Sequence, residues 1–331
     1  MASVLRALRR RILTPNVSAT KLETRGFYVK SPAAKELLEM VGQTFLTGYA
    51  YAVEARSPAA AEERLEEIPV QFRGFAYEGA AMGCTMLDAM PVGGGGRFSG
   101  LLAGRGSAHI YMAYIGAGWA MARLPGFRWP KIQAPDPLLR WLVLDGYGFH
   151  QAYFHTQRYV HEQFRDARFG WPADGPRWYA SRALDQGIGR ALWFVGGTDA
   201  ELVATMIGKF PEARRSDLYS GAGLAACYAG GADSGELSAF WQHAGDYRPQ
   251  VALGCAFAAT ARVQAGLVVP HTQVATQLFC GMTAEQAAKV CANALPEQVR
   301  PDQSAQGEPP AYEVWRQCIA AELVSLGGGS K

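Results

Sequence analysis

A short glycine pattern recurs along the chain, and it restricts the possible folds more than any other feature. Each copy reads Gly-x-(Gly or Ala) followed by a large residue, and the copies are 30 to 42 residues apart. The six copies begin at Gly74, Gly116, Gly146, Gly187, Gly221 and Gly254. This spacing suits two short helices and two turns, the unit of helical solenoids. The repeat predicts an all-α, solenoid-like fold made of helical hairpins.

The residues that follow the pattern favour helix, because they are rich in Ala and Leu and poor in β-branched residues. Two glycines one residue apart weaken a helix by about 1 kcal/mol each. Either the pair forms a turn that enters a helix, or two backbones approach closely there. A phosphate-binding loop is excluded, because no β-rich strand precedes the pattern and no third glycine is correctly spaced. Asp145 and Asp185 each precede a copy and are predicted to be helix N-caps.

Apolar periodicity predicts further helices. They cover residues 33–54, 138–144, 200–209, 235–243, 284–293 and 312–326. Asp199 or Thr198 is expected to cap one of them, and Thr283 with Gln286 forms a capping box for another. Proline and glycine clusters separate the units. We predict a basic N-terminal segment over 1–30, a single helical-repeat domain over 31–326 and a flexible tail over 327–331.

Composition restricts the function. The net charge of +3 is small and no basic stripe is interleaved with aromatic residues, so nucleic-acid binding is not expected. The cysteines lie far apart and match no zinc spacing; they are Cys84, Cys227, Cys255, Cys280, Cys291 and Cys318. We interpret them as buried reduced thiols, which points to the cytoplasm. The sequence predicts no metal site and no nucleotide or flavin cofactor.

The N-terminus is basic and partly apolar. Arg6, Arg9, Arg10 and Arg11 lie among Leu, Val and Ile. Two interpretations are open: an amphipathic helix that lies on an anionic membrane surface, or a terminal helix whose arginine face is solvated. A signal peptide is not expected, because a clean apolar region and a cleavage site are missing. No apolar run reaches the roughly 20 residues of a spanning helix.

The repeat departs from its own rule at three positions. The residue after the large one is alanine in four copies, but it is Glu78 in the first and His150 in the third. The large residue itself is apolar in five copies and is Arg190 in the fourth. If equivalent faces share one concave surface, the carboxyl, imidazole and guanidinium groups converge there.

These three residues are the candidate catalytic group. Glu78 and His150 would exchange protons with a substrate, with pKa values tuned by burial and by their proximity. Arg190 would hold a carboxylate or a phosphate. Neighbouring aromatic residues are predicted to bind a flat or unsaturated apolar ligand. These are Tyr77, Trp119, Phe149, Tyr153 and Trp193. The alternative is that Glu78 and Arg190 pair with other side chains and that His150 is a satisfied core residue.

Longer runs of the sequence resemble a known family. The runs are Arg9–Pro15, Arg25–Phe27, Arg73–Met82, Asp145–His155, Asp185–Phe194 and Tyr312–Arg316. Together they resemble the UnbL-type enediyne biosynthesis proteins, a domain-of-unknown-function family, over nearly the whole chain. The glycine loop Gly93–Gly96 departs from that likeness. The resemblance implies a role in antibiotic biosynthesis, beside an iterative polyketide synthase and other pathway proteins, and it implies no assigned reaction.

Two hypotheses of function follow. In the first, the protein handles or modifies a linear polyene-derived intermediate, which the aromatic residues bind while Glu78 and His150 move protons. In the second, it is a non-catalytic scaffold whose groove assembles enediyne pathway proteins. A deep apolar pocket favours the first hypothesis, and an open groove favours the second.

Overall fold

The computed structural model describes residues 2–90, 95–166, 168–172, 175–297 and 308–327. These residues form sixteen α-helices, short 3-10 turns and one π-turn, with no strand among them. The helices are α1 (Ala2–Leu13), α2 (Leu22–Arg25), α3 (Pro32–Glu54), α4 (Pro58–Leu65), α5 (Val70–Ala89), α6 (Arg97–Ala103), α7 (Ile110–Arg123), α8 (Trp141–Phe154), α9 (Arg177–Val195), α10 (Ala200–Gly208), α11 (Glu212–Ala229), α12 (Ser234–Ala244), α13 (Arg248–Gln264), α14 (Pro270–Phe279), α15 (Ala284–Asn293) and α16 (Ala311–Ser325). The all-α prediction is confirmed.

The long helices pack one on the next in chain order, and the short helices between them form a second layer. The long series is α3, α5, α7, α8, α9, α11 and α13. In the outer layer α4 contacts α6, and α12 contacts both α10 and α14. Helices α15 and α16 pack on α13 at the end of the series. This is the predicted repeat of helical hairpins, in one domain.

The glycines of the pattern lie in the middle of the long helices, where two backbones touch. A Cβ atom on Gly146 would collide with the carbonyl oxygen of Ile115, and one on Gly187 would collide with that of Asp145. The second glycine of a pair meets the following helix, as Gly118 meets the carbonyl oxygen of Val143. Such contacts bring Cα–H groups onto carbonyl oxygens. Of the two expectations for the glycine pair, the close approach of backbones is confirmed.

The register predicted for the first unit was wrong. In α5 the glycine that meets the preceding helix is Gly79, on the carbonyl oxygen of Phe45, whereas Gly74 faces the hydroxyl of Tyr228. Residues 79–82 also read Gly-x-Ala-(large), so the sequence offered two registers and only the helix contact distinguishes them. Helix α3 belongs to the same series, because its Gly48 meets the carbonyl oxygen of Ala76.

Helix ends agree with the sequence in some places and differ in others. Asp199 caps α10 through a hydrogen bond from the Leu202 amide, and Thr283 with Gln286 forms the predicted capping box of α15. Asp145 and Asp185 are not caps: each lies inside a long helix and is buried. The predicted helix at 138–144 begins instead at Trp141 and continues to Phe154. The cysteines are free thiols and five are buried, but Cys318 is exposed.

The segment predicted as a separate N-terminal piece packs into the same core. Leu22 and Phe27 are buried, and the amide of Tyr28 donates a hydrogen bond of 3.0 Å to the carbonyl oxygen of Val195. The predicted tail at 328–331 and the glycines at 93 and 94 lie outside the described residues. In the part of the chain that the structure describes, no helix is both long enough and apolar enough to cross a bilayer.

The backbone contacts predict the effect of adding a methyl group. Gly146→Ala places a Cβ against Ile115 and should lower the free energy of unfolding by about 1–3 kcal/mol, the range for overpacking. The matched control is Gly208→Ala in α10, where a Cβ meets nothing within 4 Å. This control should change the free energy by no more than about 1 kcal/mol, in the stabilising direction. Urea unfolding followed by circular dichroism measures both, and equal effects would contradict the assignment of these contacts.

Candidate functional site

The inner faces of the long helices enclose a cavity. Its volume is about 150 Å³. Helices α3, α5, α7, α8, α9 and α11 each contribute side chains, and the N-terminal segment contributes Pro15, Ala19 and Thr20. A cavity that holds a single ordered water needs only about 10–15 Å³. The cavity is therefore large enough for a small organic molecule.

Six of the eight predicted site residues line this cavity. They are Glu78, Trp119, Phe149, His150, Tyr153 and Arg190. The other two do not line it. Tyr77 stacks on His109 and donates a hydrogen bond of 2.6 Å to Glu66, and the indole N–H of Trp193 donates one of 2.9 Å to the carbonyl oxygen of Gly230. These two rings belong to the packing between helices rather than to the predicted ligand surface.

Trp119 is the centre of an aromatic wall. Its ring centroid lies 4.4 Å from that of Phe45, 5.3 Å from that of Phe149 and 6.2 Å from that of Tyr153. Phe75 and Phe194 extend the same lining. Ring faces of this kind suit a flat, unsaturated or aliphatic ligand, because they offer dispersion contacts and no obligatory hydrogen bonds.

Arg190 and Asp145 form a buried ion pair beside the cavity. The Arg190 Nε donates a hydrogen bond of 2.7 Å to the Asp145 Oδ1, and Nη2 lies 2.5 Å from the same oxygen. The guanidinium also lies over the Phe149 ring, 4.9 Å from its centroid. Arg190 is therefore already occupied by a carboxylate of the protein. The role predicted for it, holding an anionic ligand, does not follow from this geometry.

Glu78 is the second buried carboxyl near this pair, and it has no ion pair of its own within the described residues. The pKa of the Glu78 carboxyl is raised to about 7: burial is the largest cause and the negative charge of Asp145 adds to it, whereas Arg190 and Trp119 lower the pKa. One guanidinium cannot neutralise two desolvated carboxylates. Glu78 therefore keeps its proton up to about neutral pH and can donate it to a bound molecule.

The pKa of His150 is shifted by groups other than Glu78. Burial, and to a smaller extent the nearby Arg123 and His155, lower the pKa of the His150 imidazole to about 3. The expectation that Glu78 and His150 tune each other is not met, since neither is a cause of the other's shift. His150 is a neutral ring at physiological pH. It is not a store of protons at that pH, and its Nδ1 has no hydrogen-bond partner.

Apart from Nη2 of Arg190, which is ion-paired with Asp145, three buried polar atoms of the cavity-lining residues have no hydrogen-bond partner. They are the indole Nε1 of Trp119, the Nδ1 of His150 and the hydroxyl of Tyr228. The Trp119 indole is near enough to Glu78 to lower the pKa of that carboxyl, although it makes no hydrogen bond of normal geometry. Buried polar atoms in native proteins are nearly always paired, with protein or with water. Unpaired atoms that face a cavity are the points where a ligand or an ordered water would bind.

The cavity has an outer and an inner end. The lining residues at its outer end are only partly buried or exposed: Pro15, Ala19, Phe154 at the end of α8 and Arg123 at the end of α7. The His150 ring lies 4.7 Å from the Phe154 ring and 5.4 Å from the Trp119 ring. Glu78 belongs to the inner end, because Arg190, Asp145 and Tyr228 are its charged and polar neighbours. Trp119 lies between the two ends.

Comparison with protein families gives a match that covers residues 4–323. The family is described as a protein of unknown function, DUF1702. The chain belongs to this family. No curated protein matches the chain, and no solved structure matches it. The site of this DUF1702 protein is therefore argued from its own geometry.

Sequence reasoning missed two residues of the site, Asp145 and Tyr228. The corrected register contains the signal for the first of them. Glu78 directly precedes Gly79 just as Asp145 directly precedes Gly146, so the two carboxyls occupy equivalent positions in their helices. Tyr228 had no signal in the sequence. Its hydroxyl packs against Gly74, and only the curvature of the helix series brings α11 to α5.

The raised pKa of Glu78 predicts a pH-dependent effect of Glu78→Gln. The folded protein holds this proton and the unfolded chain releases it near its ordinary value of 4.5, so ionisation of Glu78 costs stability as the pH rises from about 4.5 to about 7. The glutamine variant escapes that cost. Relative to the native protein, it should gain up to about 3 kcal/mol in unfolding free energy between pH 5 and pH 8.

Urea unfolding at the two pH values measures this difference. The control is Glu322→Gln, which changes an exposed glutamate on α16. The control should differ from the native protein by the same amount at both pH values. A Glu78→Gln difference that also stays constant would show that Glu78 is ionised in the folded protein throughout this range.

Proposed function

We propose that this DUF1702 protein binds a linear, polyene-derived intermediate of enediyne polyketide biosynthesis in its central cavity and modifies it with the help of the Glu78 proton. The observation that carries the proposal is the combination of an enclosed aromatic cavity with a buried carboxylic acid at its inner end. The biosynthetic context comes from the resemblance to UnbL-type proteins, and the cavity supports the kind of ligand.

The lining of the cavity supports an apolar, unsaturated ligand; the cavity itself has room for a part about the size of benzene, and the rest of a longer chain would extend through the outer end. Trp119, Phe149 and Tyr153 lie side by side along the wall between the outer and inner ends. A conjugated chain is flat and rigid, so it loses little conformational entropy when it binds between such rings. The unpaired atoms of His150 and Trp119 would meet polar groups on the chain, such as a hydroxyl or a carbonyl oxygen.

The chemistry that fits best moves a proton without a cofactor. Glu78 donates its proton to one carbon of a conjugated system, and the resulting carboxylate removes a proton from another carbon. The double bonds shift and the total numbers of atoms and electrons are unchanged. A pKa near 7 suits a group that gives and takes a proton at neutral pH. The ion pair of Arg190 and Asp145 stays fixed beside Glu78 during both steps, and the positive charge of Arg190 stabilises the Glu78 carboxylate between them.

The scaffold hypothesis has less support. Its groove would be an open surface, whereas the side chains on the concave side are almost fully buried: Glu78 is 4%, Arg190 6% and His150 7% exposed. A partner protein has no access to these residues. A pathway partner would have to dock on the outer surface, away from Glu78, His150 and Arg190.

Binding can be tested with a linear conjugated tetraene fatty acid, whose fluorescence rises in an apolar site. The native protein should bind it, and the saturated fatty acid of equal length should compete less well. Ala225→Leu adds three carbon atoms to the cavity wall and should weaken binding by at least about tenfold through steric overlap. Trp193→Phe, a buried aromatic change outside the cavity, is the matched control and should leave binding unchanged. Equal binding by all three proteins would place the ligand elsewhere.

The proton-transfer role has a separate test in a producing organism. Strains in which the natural gene is replaced by the Glu78→Gln form should accumulate a conjugated intermediate and make no product, at an unchanged level of the protein. The purified variant should still bind the tetraene, because glutamine keeps the shape of the side chain. Normal product from the Glu78→Gln strain would remove Glu78 from the chemistry and restore the scaffold hypothesis.

A further inference from the structure

Helix α1 exposes its apolar face instead of burying it. Val4 and Ile12 are each 70% exposed, Leu5 is 65% exposed and Leu8 is 50% exposed. These four positions follow the helical spacing of one stripe along α1. A surface helix normally turns such a stripe toward the core, so this arrangement leaves an apolar surface without a partner among the described residues.

The arginine side of α1 holds the helix on the protein. The Arg9 Nε donates a hydrogen bond of 2.6 Å to the carbonyl oxygen of Val53, and Nη2 donates one of 3.3 Å to that of Ala55. Arg10 forms an ion pair of 2.9 Å with Glu54. These contacts cover the C-terminal end of α3. The interpretation of α1 as a helix whose arginine face is solvated holds only in part: Arg9 and Arg10 attach the helix to α3, whereas Arg10 and Arg11 remain exposed.

The surroundings of α1 are strongly basic. Arg97 reaches the same end of α3, with Nη1 3.4 Å from the carbonyl oxygen of Ala55. Arg6 and Arg97 are both close enough to Arg9 to lower the pKa of its guanidinium, after burial. Arg11 is exposed beside the apolar stripe. Glu54 is the one acidic residue paired with this group in the described part of the chain, and it is shared between Arg10 and Arg64.

We propose that α1 binds an anionic lipid surface, with its apolar stripe among the acyl chains and its arginines at the headgroups. A narrow stripe of aliphatic residues flanked by arginines is the arrangement of helices that lie in the membrane interface. Anionic headgroups complement the excess positive charge around Arg6, Arg11 and Arg97.

The position of α1 connects this surface to the cavity. The helix ends at Leu13, and Pro15 and Ala19 already belong to the outer end of the cavity. A protein that lies on the membrane through α1 has the outer end of its cavity close to the lipid. An apolar ligand would then pass between lipid and cavity without crossing water. This last consequence rests on the proposed function, whereas the docking of α1 does not.

Vesicle co-sedimentation tests the docking with the full chain. The native protein should bind vesicles of phosphatidylcholine with phosphatidylglycerol at least about tenfold more strongly than vesicles of phosphatidylcholine alone. The double variant Leu5→Glu/Leu8→Glu should lose this binding. The matched control is Val274→Glu/Val324→Glu, which changes two apolar residues that are each 43% exposed on other helices. This control should bind as the native protein does.

Several outcomes would overturn the proposal. These are equal binding to both vesicle types, no binding to either, or unchanged binding by Leu5→Glu/Leu8→Glu. Light scattering after size exclusion tests whether a second copy of the chain binds the stripe instead of lipid. A native protein that is a dimer, with a Leu5→Glu/Leu8→Glu variant that is a monomer, would assign the stripe to a second copy of the chain. Tetraene binding without vesicles separates the two proposals, because Leu5→Glu/Leu8→Glu should keep it. Thermal unfolding confirms that the variants are folded.

Discussion

The contact of backbone on backbone at the glycines is the constraint on which the rest of the structure depends. Each long helix places a carbonyl oxygen where a side chain of its neighbour would otherwise stand, so the helices cross as closely as their main chains allow. Repeated from α3 to α13, the same crossing keeps the helices in one curved series. The curvature gives the series an inner side. The cavity lies there, between aromatic side chains that do not fill the space completely.

The same crossing of helices places the charged side chains of the interior. The residue before the contact glycine is Glu78 in α5 and Asp145 in α8, so the repeat brings two carboxyls toward one arginine, Arg190. Asp145 takes the ion pair, and Glu78 is left desolvated and holds its proton near neutral pH. An acid of this kind arises from an unequal division of one positive charge between two buried groups. It needs no cofactor to give or take a proton.

The sequence predicted the helical series correctly and misplaced one of its units. Gly74 and Gly79 both fit the same short pattern, and a pattern of small residues does not reveal which of them touches another helix. Glu78 was selected because it replaces an alanine of the pattern in the Gly74 register. In the Gly79 register that reason is lost, but Glu78 then holds the position that Asp145 has in α8. Tyr77 and Trp193 were selected by being near those residues in sequence. A helix turns by about 100° per residue, so an adjacent residue faces a different direction.

The sequence by itself determined the local features: which segments are helical, where they are capped at Asp199 and Thr283, and which side chains are capable of proton transfer. These depend on short-range propensities and on hydrogen bonds between close neighbours. Only the tertiary structure decided that Arg190 pairs with Asp145, that Tyr228 reaches Gly74 and that α1 turns its leucines outward. Each of these joins residues far apart in the chain, and the distance between them is set by the sum of many helix crossings, which no local pattern encodes.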